Sequence, residues 1–175
     1  MILKFLGGAG TVTGSCFYIE CNKQKILVET GLYQGENADE INRASFAFRP
    51  EEIDFIFLTH AHLDHSGMLP RLAKEGFKGR VITTSATKDL LEIMLYDAAN
   101  IQEDDAEWLT KKSLRAGGPP VAPLYTTDDA RAAILLFDVK PYDKILHLGT
   151  GIKYRFLDAG HILGSASLEL WYQDS

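Results

Sequence analysis

Cysteine is scarce in this sequence, which contains only Cys16 and Cys21 among its 175 residues. Two thiols five positions apart, with no other cysteine to pair with, do not make the disulfide framework of a small secreted domain. Cysteines of this kind are more often small core residues than reactive thiols. We therefore expect a protein of a reducing compartment that is not held together by disulfides.

Long apolar runs are absent as well. The apolar residues 1–6 are interrupted by Gly7 and Gly8 before a secretory segment of useful length can form, and no other segment approaches a membrane span. This pattern predicts a soluble, cytoplasmic protein with no membrane partner.

Basic residues are too few for a nucleic-acid-binding surface. The chain has 18 lysine and arginine residues against 24 aspartate and glutamate residues, a formal net charge of −6 and a pI near 5.3. Contact with phosphates normally needs a surface rich in lysine and arginine. Bound metal cations would offset the acidity only locally. Any surface that holds a nucleic acid is therefore expected to lie largely outside this chain.

What is present is the composition of one globular domain, with 46% hydrophobic and 24% charged residues. Apolar runs bounded by turn residues predict strands, and they lie at residues 2–6, 16–20, 25–29, 54–58, 80–84 and 167–172, with a hairpin formed by 145–148 and 153–157. Apolar residues at helical spacing predict three helices, over residues 67–76, after a cap at Ser85, and over residues 127–137 with a cap at Thr127. The charged residues 99–115 either continue the second helix or form a surface excursion.

Four candidate metal ligands lie within six residues, directly after the apolar strand 54–58. The sequence there reads THAHLDH over residues 59–65. Imidazole and carboxylate groups are ligands that suit zinc and similar divalent metals. Two histidines two positions apart cannot share one face of a helix, but they can converge on one ion in a loop that leaves a strand. The alternative, a polar turn that faces solvent, accounts poorly for three of the chain's five histidines in one loop.

Three motifs together resemble a known family. THAHLDH resembles the HxHxDH signature of the metallo-β-lactamase superfamily of metal-dependent hydrolases. GLYQG at residues 31–35 and DAGHILGSA at residues 158–166 resemble its β-CASP branch, the nucleases that process RNA and DNA. The resemblance implies an α/β fold, the N-terminal part of an αββα sandwich in which a mixed sheet is flanked by helices. It also implies a dinuclear zinc site and phosphodiester hydrolysis, with RNA or DNA as the substrate.

The resemblance also assigns roles to single residues. His60, His62 and His161 would bind the first zinc ion, and Asp64 and His65 would belong to the second. Glu29 stands where the family usually has aspartate, so it would orient the metal-site histidines and join Asp64 among the catalytic residues. His147 matches no motif position and is expected to be structural. The glycine-rich loop at residues 7–14 would approach the metal site.

The same resemblance predicts that residues 1–175 are one domain, truncated before the strand that carries the bridging aspartate and before the β-CASP insertion. About one tightly bound zinc ion and little or no ribonuclease activity are then expected of the chain alone. Two other functions remain open: a small-molecule hydrolase of the same superfamily, which the GLYQG and DAGHILGSA motifs disfavour, and a non-catalytic metal-binding half that acts only with a partner.

The truncation leads to an expectation about assembly. Strands 16–20, 25–28, 55–58 and 167–172 carry nearly continuous apolar runs, which are typical of a sheet buried on both faces. One half of a sandwich would leave one of these faces bare, and the apolar patch would be larger than a soluble monomer tolerates. We therefore expect that the chain either forms a homodimer in which each copy covers the other's sheet or aggregates.

Overall fold

The strands of the chain form two sheets. The computed structural model describes residues 1–149 and 151–173. Six strands form the first sheet in chain order, namely β1 (Ile2–Gly7), β2 (Cys16–Cys21), β3 (Gln24–Val28), β4 (Phe55–Phe57), β5 (Arg80–Thr83) and β6 (Phe137–Val139). Three form the second, namely β7 (Leu146–His147), β8 (Ile152–Asp158) and β9 (Ala166–Tyr172).

The six-stranded sheet is mixed, as predicted. Strands β1 to β3 pair antiparallel, and β3 to β6 pair parallel. Asn22 and Lys23 make the turn between β2 and β3 with φ values of 48° and 64°, which is the backbone of a two-residue hairpin turn. Parallel neighbours need long crossover connections, and the helices of the chain lie in them.

In the described residues five α-helices accompany the strands, together with a short 3-10 helix at Pro50–Glu52. The α-helices are α1 (Ala38–Arg43), α2 (Leu63–Ser66), α3 (Leu69–Lys74), α4 (Ser85–Arg115) and α5 (Thr127–Ile134). The predicted helix over residues 67–76 starts two residues later, at Leu69, because residues 67 and 68 link α2 to α3. Residues 99–115 continue α4, which is 31 residues long. None of the helices in the described parts of the chain combines the length and apolar character needed to cross a membrane.

The predicted caps of α4 and α5 were each wrong by one residue. The N-cap of α4 is Thr84, whose hydroxyl accepts a hydrogen bond from the backbone N–H of Thr87, and Ser85 is already helical. The N-cap of α5 is Thr126, which forms a reciprocal capping box with Asp129. A cap residue must lie before the first helical turn. Phe137, which the pattern placed in α5, instead begins β6.

Helices cover one face of the six-stranded sheet. Leu27 and Ile56 project from β3 and β4 to this side and are fully buried. They belong to one apolar cluster with Leu72 of α3, Leu91 of α4 and Ala133 of α5. This core supports the ends of β3, β4 and β5 from one side.

The second sheet covers the middle of the opposite face. Phe57 of β4 is fully buried, and its ring centre lies 4.9 Å from that of Tyr154 and 6.1 Å from that of Phe156, both on β8. Ile26 of β3 and Ile82 of β5 join the same cluster. The expectation of a wholly bare sheet face is therefore wrong, because this chain supplies its own second sheet.

The β1 end of that face stays open. Leu3 and Phe5 of β1 pair with Ile19 and Phe17 of β2, on the side of the sheet that faces the second sheet. Leu3 is 48% exposed and Phe5 is 62% exposed. A sheet of three strands is too narrow to cover six, so the apolar surface that the sequence predicted is reduced to this edge.

Candidate metal centre

The candidate site lies where several strands of both sheets end. Glu29 directly follows β3, and the segment that carries His60 and His62 follows β4. His161 follows β8 of the second sheet. Because the carboxyl ends of parallel strands meet at one edge of a sheet, ligands carried by different strands come together there.

Backbone hydrogen bonds fix the histidine loop against its neighbours. The N–H of Ser15 donates to the carbonyl of Asp64 (2.9 Å), and the N–H of Thr30 donates to the carbonyl of His65 (2.7 Å). Gly31 fits between them only because it has no side chain, since a Cβ atom there would lie 1.8 Å from the carbonyl oxygen of Asp64. The glycine-rich loop that ends at Ser15 thus does approach the site, as expected.

Three histidines converge at this edge. One ring nitrogen from each of His60, His62 and His161 lies within 4.8 Å of the other two. Nε2 of His161 is 3.3 Å from Nδ1 of His62. Three imidazole nitrogens gathered at this spacing form a donor set that suits a tetrahedral metal ion with one open position. The structure therefore brings together the three residues that the motifs had assigned to one ion.

His60 is the most buried of the three. Its Nδ1 lies 2.9 Å from the hydroxyl of Thr59, so the ring orientation is fixed and Nε2 is left for a ligand. Burial, followed by the neighbouring charges of His65, His62 and His161, lowers the pKa of His60 to about 4. At neutral pH the ring is uncharged, which is the form that binds metal.

Glu29 lies behind the loop and is only 3% exposed. Its Oε1 accepts a hydrogen bond from the backbone N–H of Thr59 (3.1 Å), and its Oε2 lies 3.7 Å from Nδ1 of His65. Both Oε2 and that Nδ1 are buried without a hydrogen-bond partner. Burial raises the pKa of Glu29, and its contacts with His65 and Thr59 reduce this effect.

His65 and Asp64 lie beside the three-histidine cluster. Oδ2 of Asp64 is 3.5 Å from Nε2 of His65, and the His65 and His60 ring centres are 4.1 Å apart. Burial alone would lower the pKa of His65, but the nearby carboxylates of Glu29 and Asp64 outweigh burial and raise it. An imidazole and a carboxylate are thus held together next to the first three ligands.

Sequence reasoning missed the residues that hold the His161 loop. The hydroxyl of Ser165 accepts hydrogen bonds from the N–H groups of His161 (3.0 Å) and Ile162 (3.1 Å). The hydroxyls of Thr84 and Thr87 both donate to the carbonyl of Gly164. Ser165 could have been found from the sequence, because it lies within the DAGHILGSA motif. Thr84 and Thr87 could not, because no pattern in the sequence links them to this loop.

His147 lies apart from these residues. It is an exposed residue of β7, paired with Lys153 of β8, and it is not a member of the three-histidine cluster. The motif-based distinction between His147 and the other four histidines therefore agrees with their placement.

Comparison with known proteins identifies the family. The sequence model of the metallo-beta-lactamase superfamily matches residues 9–162, so the chain belongs to this superfamily. The mixed sheet with its helices agrees with that fold.

Curated relatives narrow the class to RNA-processing proteins of the β-CASP branch, which confirms the resemblance. The chain is 35% identical over 160 residues to Ribonuclease TTHA0252 of Thermus thermophilus. The aligned region covers 91% of this chain and 32% of the relative. The chain is 32% identical over 168 residues to Transcription termination factor FttA of Methanosarcina mazei. This aligned region covers 92% of this chain and 23% of the relative. The chain thus spans about a third or less of the length of these proteins.

Solved structures agree on the fold. BJP-1, a subclass B3 metallo-beta-lactamase of Bradyrhizobium japonicum, matches with a TM-score of 0.57 at 22% sequence identity. The match covers 99% of this chain and 55% of that one. At this identity the likeness concerns the fold alone.

Proposed function

We propose that this domain serves a zinc-dependent phosphodiester hydrolase that acts on RNA. The observation that carries the proposal is the convergence of His60, His62 and His161, with Asp64 and His65 beside them. The names of the relatives, a ribonuclease and a transcription termination factor, support RNA as the substrate.

The donor set suits zinc, because three imidazole nitrogens with an open position are typical of hydrolytic zinc sites. If His60, His62 and His161 hold a zinc ion, it would supply Lewis-acid chemistry for water activation and phosphoryl polarisation. Asp64 and His65 would hold a second, weaker ion, so about one zinc ion is expected to bind tightly.

The surrounding residues orient the ligands. Thr59 fixes the ring of His60 through its hydroxyl, and Glu29 holds the backbone of Thr59 and faces His65. The carboxylate of Asp64 is half-buried at the edge of the site, and in this proposal it would accept a proton from attacking water. Glu29 would position the ligands, and Asp64 would act in catalysis.

The net charge of −6 leaves RNA little to bind on this domain, so a basic surface beyond it would hold the strand. Both cysteines are free thiols, which fits a reducing cytoplasm. We also propose that the chain forms a homodimer, in which two copies meet at the open β1 end of the six-stranded sheet.

Zinc content after dialysis tests the metal centre. We expect about one zinc ion per chain, lost in His62→Ala and kept in His147→Ala, because only the first side chain lies in the cluster. Circular dichroism must show that both variants are folded. Equal zinc loss in the two variants, or no zinc in a folded protein, would refute the site assignment.

Hydrolysis of bis(p-nitrophenyl) phosphate by the zinc-loaded chain tests the reaction class. We expect slow, zinc-dependent release of nitrophenol that disappears in His62→Ala and persists in His147→Ala. RNA cleavage by the chain alone should be weaker still, because its acidic surface repels the strand. Hydrolysis of thioesters or lactones without any action on the diester would overturn the proposal in favour of a small-molecule hydrolase.

A further inference from the structure

The loop that carries His161 has a glycine on each side of the histidine. Gly160 and Gly164 have φ values of 65° and 82°, a left-handed conformation that glycine adopts without strain. His161 itself is exposed, so packing around its ring restrains it weakly. A backbone of this kind needs anchors if the histidine nitrogen is to stay within 4.8 Å of the two other ligand atoms.

One end of this loop is held against the first turn of α4. A Cβ atom on Gly164 would lie 2.4 Å from the backbone nitrogen of Thr87, so only glycine permits so close an approach. The carbonyl of Gly164 accepts two hydrogen bonds, from the hydroxyls of Thr84 (2.6 Å) and Thr87 (2.8 Å). Both lone pairs of this carbonyl are therefore bonded to the start of one helix.

The start of α4 is itself held firmly. Only Thr84 separates the helix from β5, and Leu91 and Leu95 of the helix are fully buried in the core. Thr84 and Thr87 are 2% and 0% exposed. Buried hydroxyls are rarely left unpaired, because the hydrogen bonds to water that they lose must be replaced. The carbonyl of Gly164 provides this replacement, which ties the loop to the helix.

Ser165 connects the anchored carbonyl to His161. It directly follows Gly164, and its hydroxyl accepts the hydrogen bonds from the N–H groups of His161 and Ile162. A shift of Gly164 away from α4 would therefore move the hydroxyl that holds the backbone of the histidine. The two threonines thus act on His161 through Gly164 and Ser165, without touching the imidazole.

We propose that Thr84 and Thr87 are positioning residues of the metal centre, which hold His161 at the distance that a shared metal ion requires. His60 and His62 are placed by the segment that follows β4, whereas the third histidine would depend on the start of α4. The inference rests on the metal centre proposed above. A contribution of the two hydroxyls to overall stability alone is the alternative that the experiments must separate from it.

The zinc affinity of Thr87→Val, measured by competition with a chromophoric chelator, tests the positioning role. This variant keeps the shape of the side chain but removes the hydroxyl, so zinc should bind about tenfold more weakly. Thr87→Ser keeps the hydroxyl, so its affinity should stay within about threefold of that of the unchanged protein. Thr110→Val is the matched control, because the Thr110 hydroxyl donates to the carbonyl of Val121 (3.1 Å) about six turns further along α4. Its zinc affinity should not change.

A double-mutant cycle with His161 separates positioning from a general loss of stability. Without the third imidazole, Thr87 has no ligand to position, so Thr87→Val should not weaken zinc binding further in a His161→Ala background. An equal loss of affinity in both backgrounds, or no loss when His161 is present, would overturn the inference. Circular dichroism must show that the variants are folded, and Thr87→Ala replaces Thr87→Val if the added methyl group prevents folding.

Amide hydrogen exchange of the metal-free protein gives a second measurement that needs no zinc. In Thr87→Val the N–H groups of His161 and Ile162 should exchange about tenfold faster relative to those of β4, and in Thr110→Val their relative rates should not change. Equally faster exchange throughout the chain would show a role in stability alone and would overturn the inference. Absence of zinc from the unchanged protein would refute the metal centre itself, whereas unchanged exchange at His161 would refute only the anchor.

Discussion

Glu29 has a backbone conformation that few side chains adopt, because its φ of 64° lies in the left-handed region. Its carboxylate is nevertheless buried, with one oxygen bonded to the N–H of Thr59 and the other facing His65. Strained residues persist where the surrounding structure holds them, and they cluster at functional sites. We therefore propose that Glu29 positions the histidine loop.

Replacing Glu29 tests this role. Glu29→Gln keeps the shape but removes the charge that faces His65, so zinc affinity should fall by about 10- to 100-fold. Glu29→Asp keeps the charge, so its zinc affinity should fall less than that of Glu29→Gln. Competition with a chromophoric chelator measures both affinities, and an unchanged affinity in Glu29→Gln would contradict the positioning role.

The thiol of Cys16 should be inert. Burial and, after it, the charge of Glu29 raise its pKa to about 12, so the reactive thiolate is rare at mildly alkaline pH. In a Cys21→Ser background we expect alkylation by iodoacetamide to be about a hundredfold or more slower than in the urea-unfolded chain. Mass spectrometry follows the reaction, and similar rates in the two states would show that Cys16 is not protected.

At the scale of elements, the cap of α5 gives a sharp test. Thr126→Ala removes the hydroxyl that accepts from the N–H of Asp129, so the free energy of unfolding should fall by about 1 kcal/mol. Thr127→Ala, one residue inside the helix, is the matched control and should change it by less than about 0.5 kcal/mol. Urea unfolding measures both. A larger loss in Thr127→Ala would mean that the helix starts elsewhere.

The elements show where sequence reasoning succeeds. β2, β3 and β5 carry apolar runs bounded by turn residues, and their predicted bounds were within a residue of those observed. The predicted cap residues were wrong because neighbouring threonine and serine residues offer the same hydroxyl group. Only the backbone conformation determines that Thr84 and Thr126 are the caps. β6 was not predicted because its residues continue the apolar spacing of α5. In the structure, strand pairing with β5 outweighs that pattern.

The candidate site was predictable in part. His60 and His62 were found from their spacing alone, because four candidate ligands within six residues after a buried strand are typical of a metal-binding loop. His161 needed the family motif, since no local pattern joins it to residues 99 positions earlier. The contacts of Thr87 with Gly164 depend on how distant segments pack, and local sequence patterns do not carry that information.

At the scale of the whole molecule, the open β1 end predicts association. Leu3 and Phe5 expose apolar surface on an edge strand, and such edges tend to pair with another copy. We expect a dimer in sedimentation experiments at micromolar concentration and a monomer for the double variant Leu3→Lys, Phe5→Lys.

The matched control for this dimer is the double variant Ile93→Lys, Ile101→Lys on α4. These residues are 71% and 53% exposed but lie away from β1, so the dimer should persist. Loss of the dimer only in the α4 variant would place the interface there, and a monomeric unchanged protein would remove the β1 proposal.

The three-histidine cluster draws on both sheets, and this affects the order in which the centre forms during synthesis. His60 and His62 leave the ribosome with β4, whereas His161 follows only after β8, 99 residues behind His62. Until the second sheet has docked on Phe57, the emerging chain has only two of the three histidines of the cluster in place. We therefore predict that tight metal uptake is a late event in the maturation of this domain, after the two sheets have packed together.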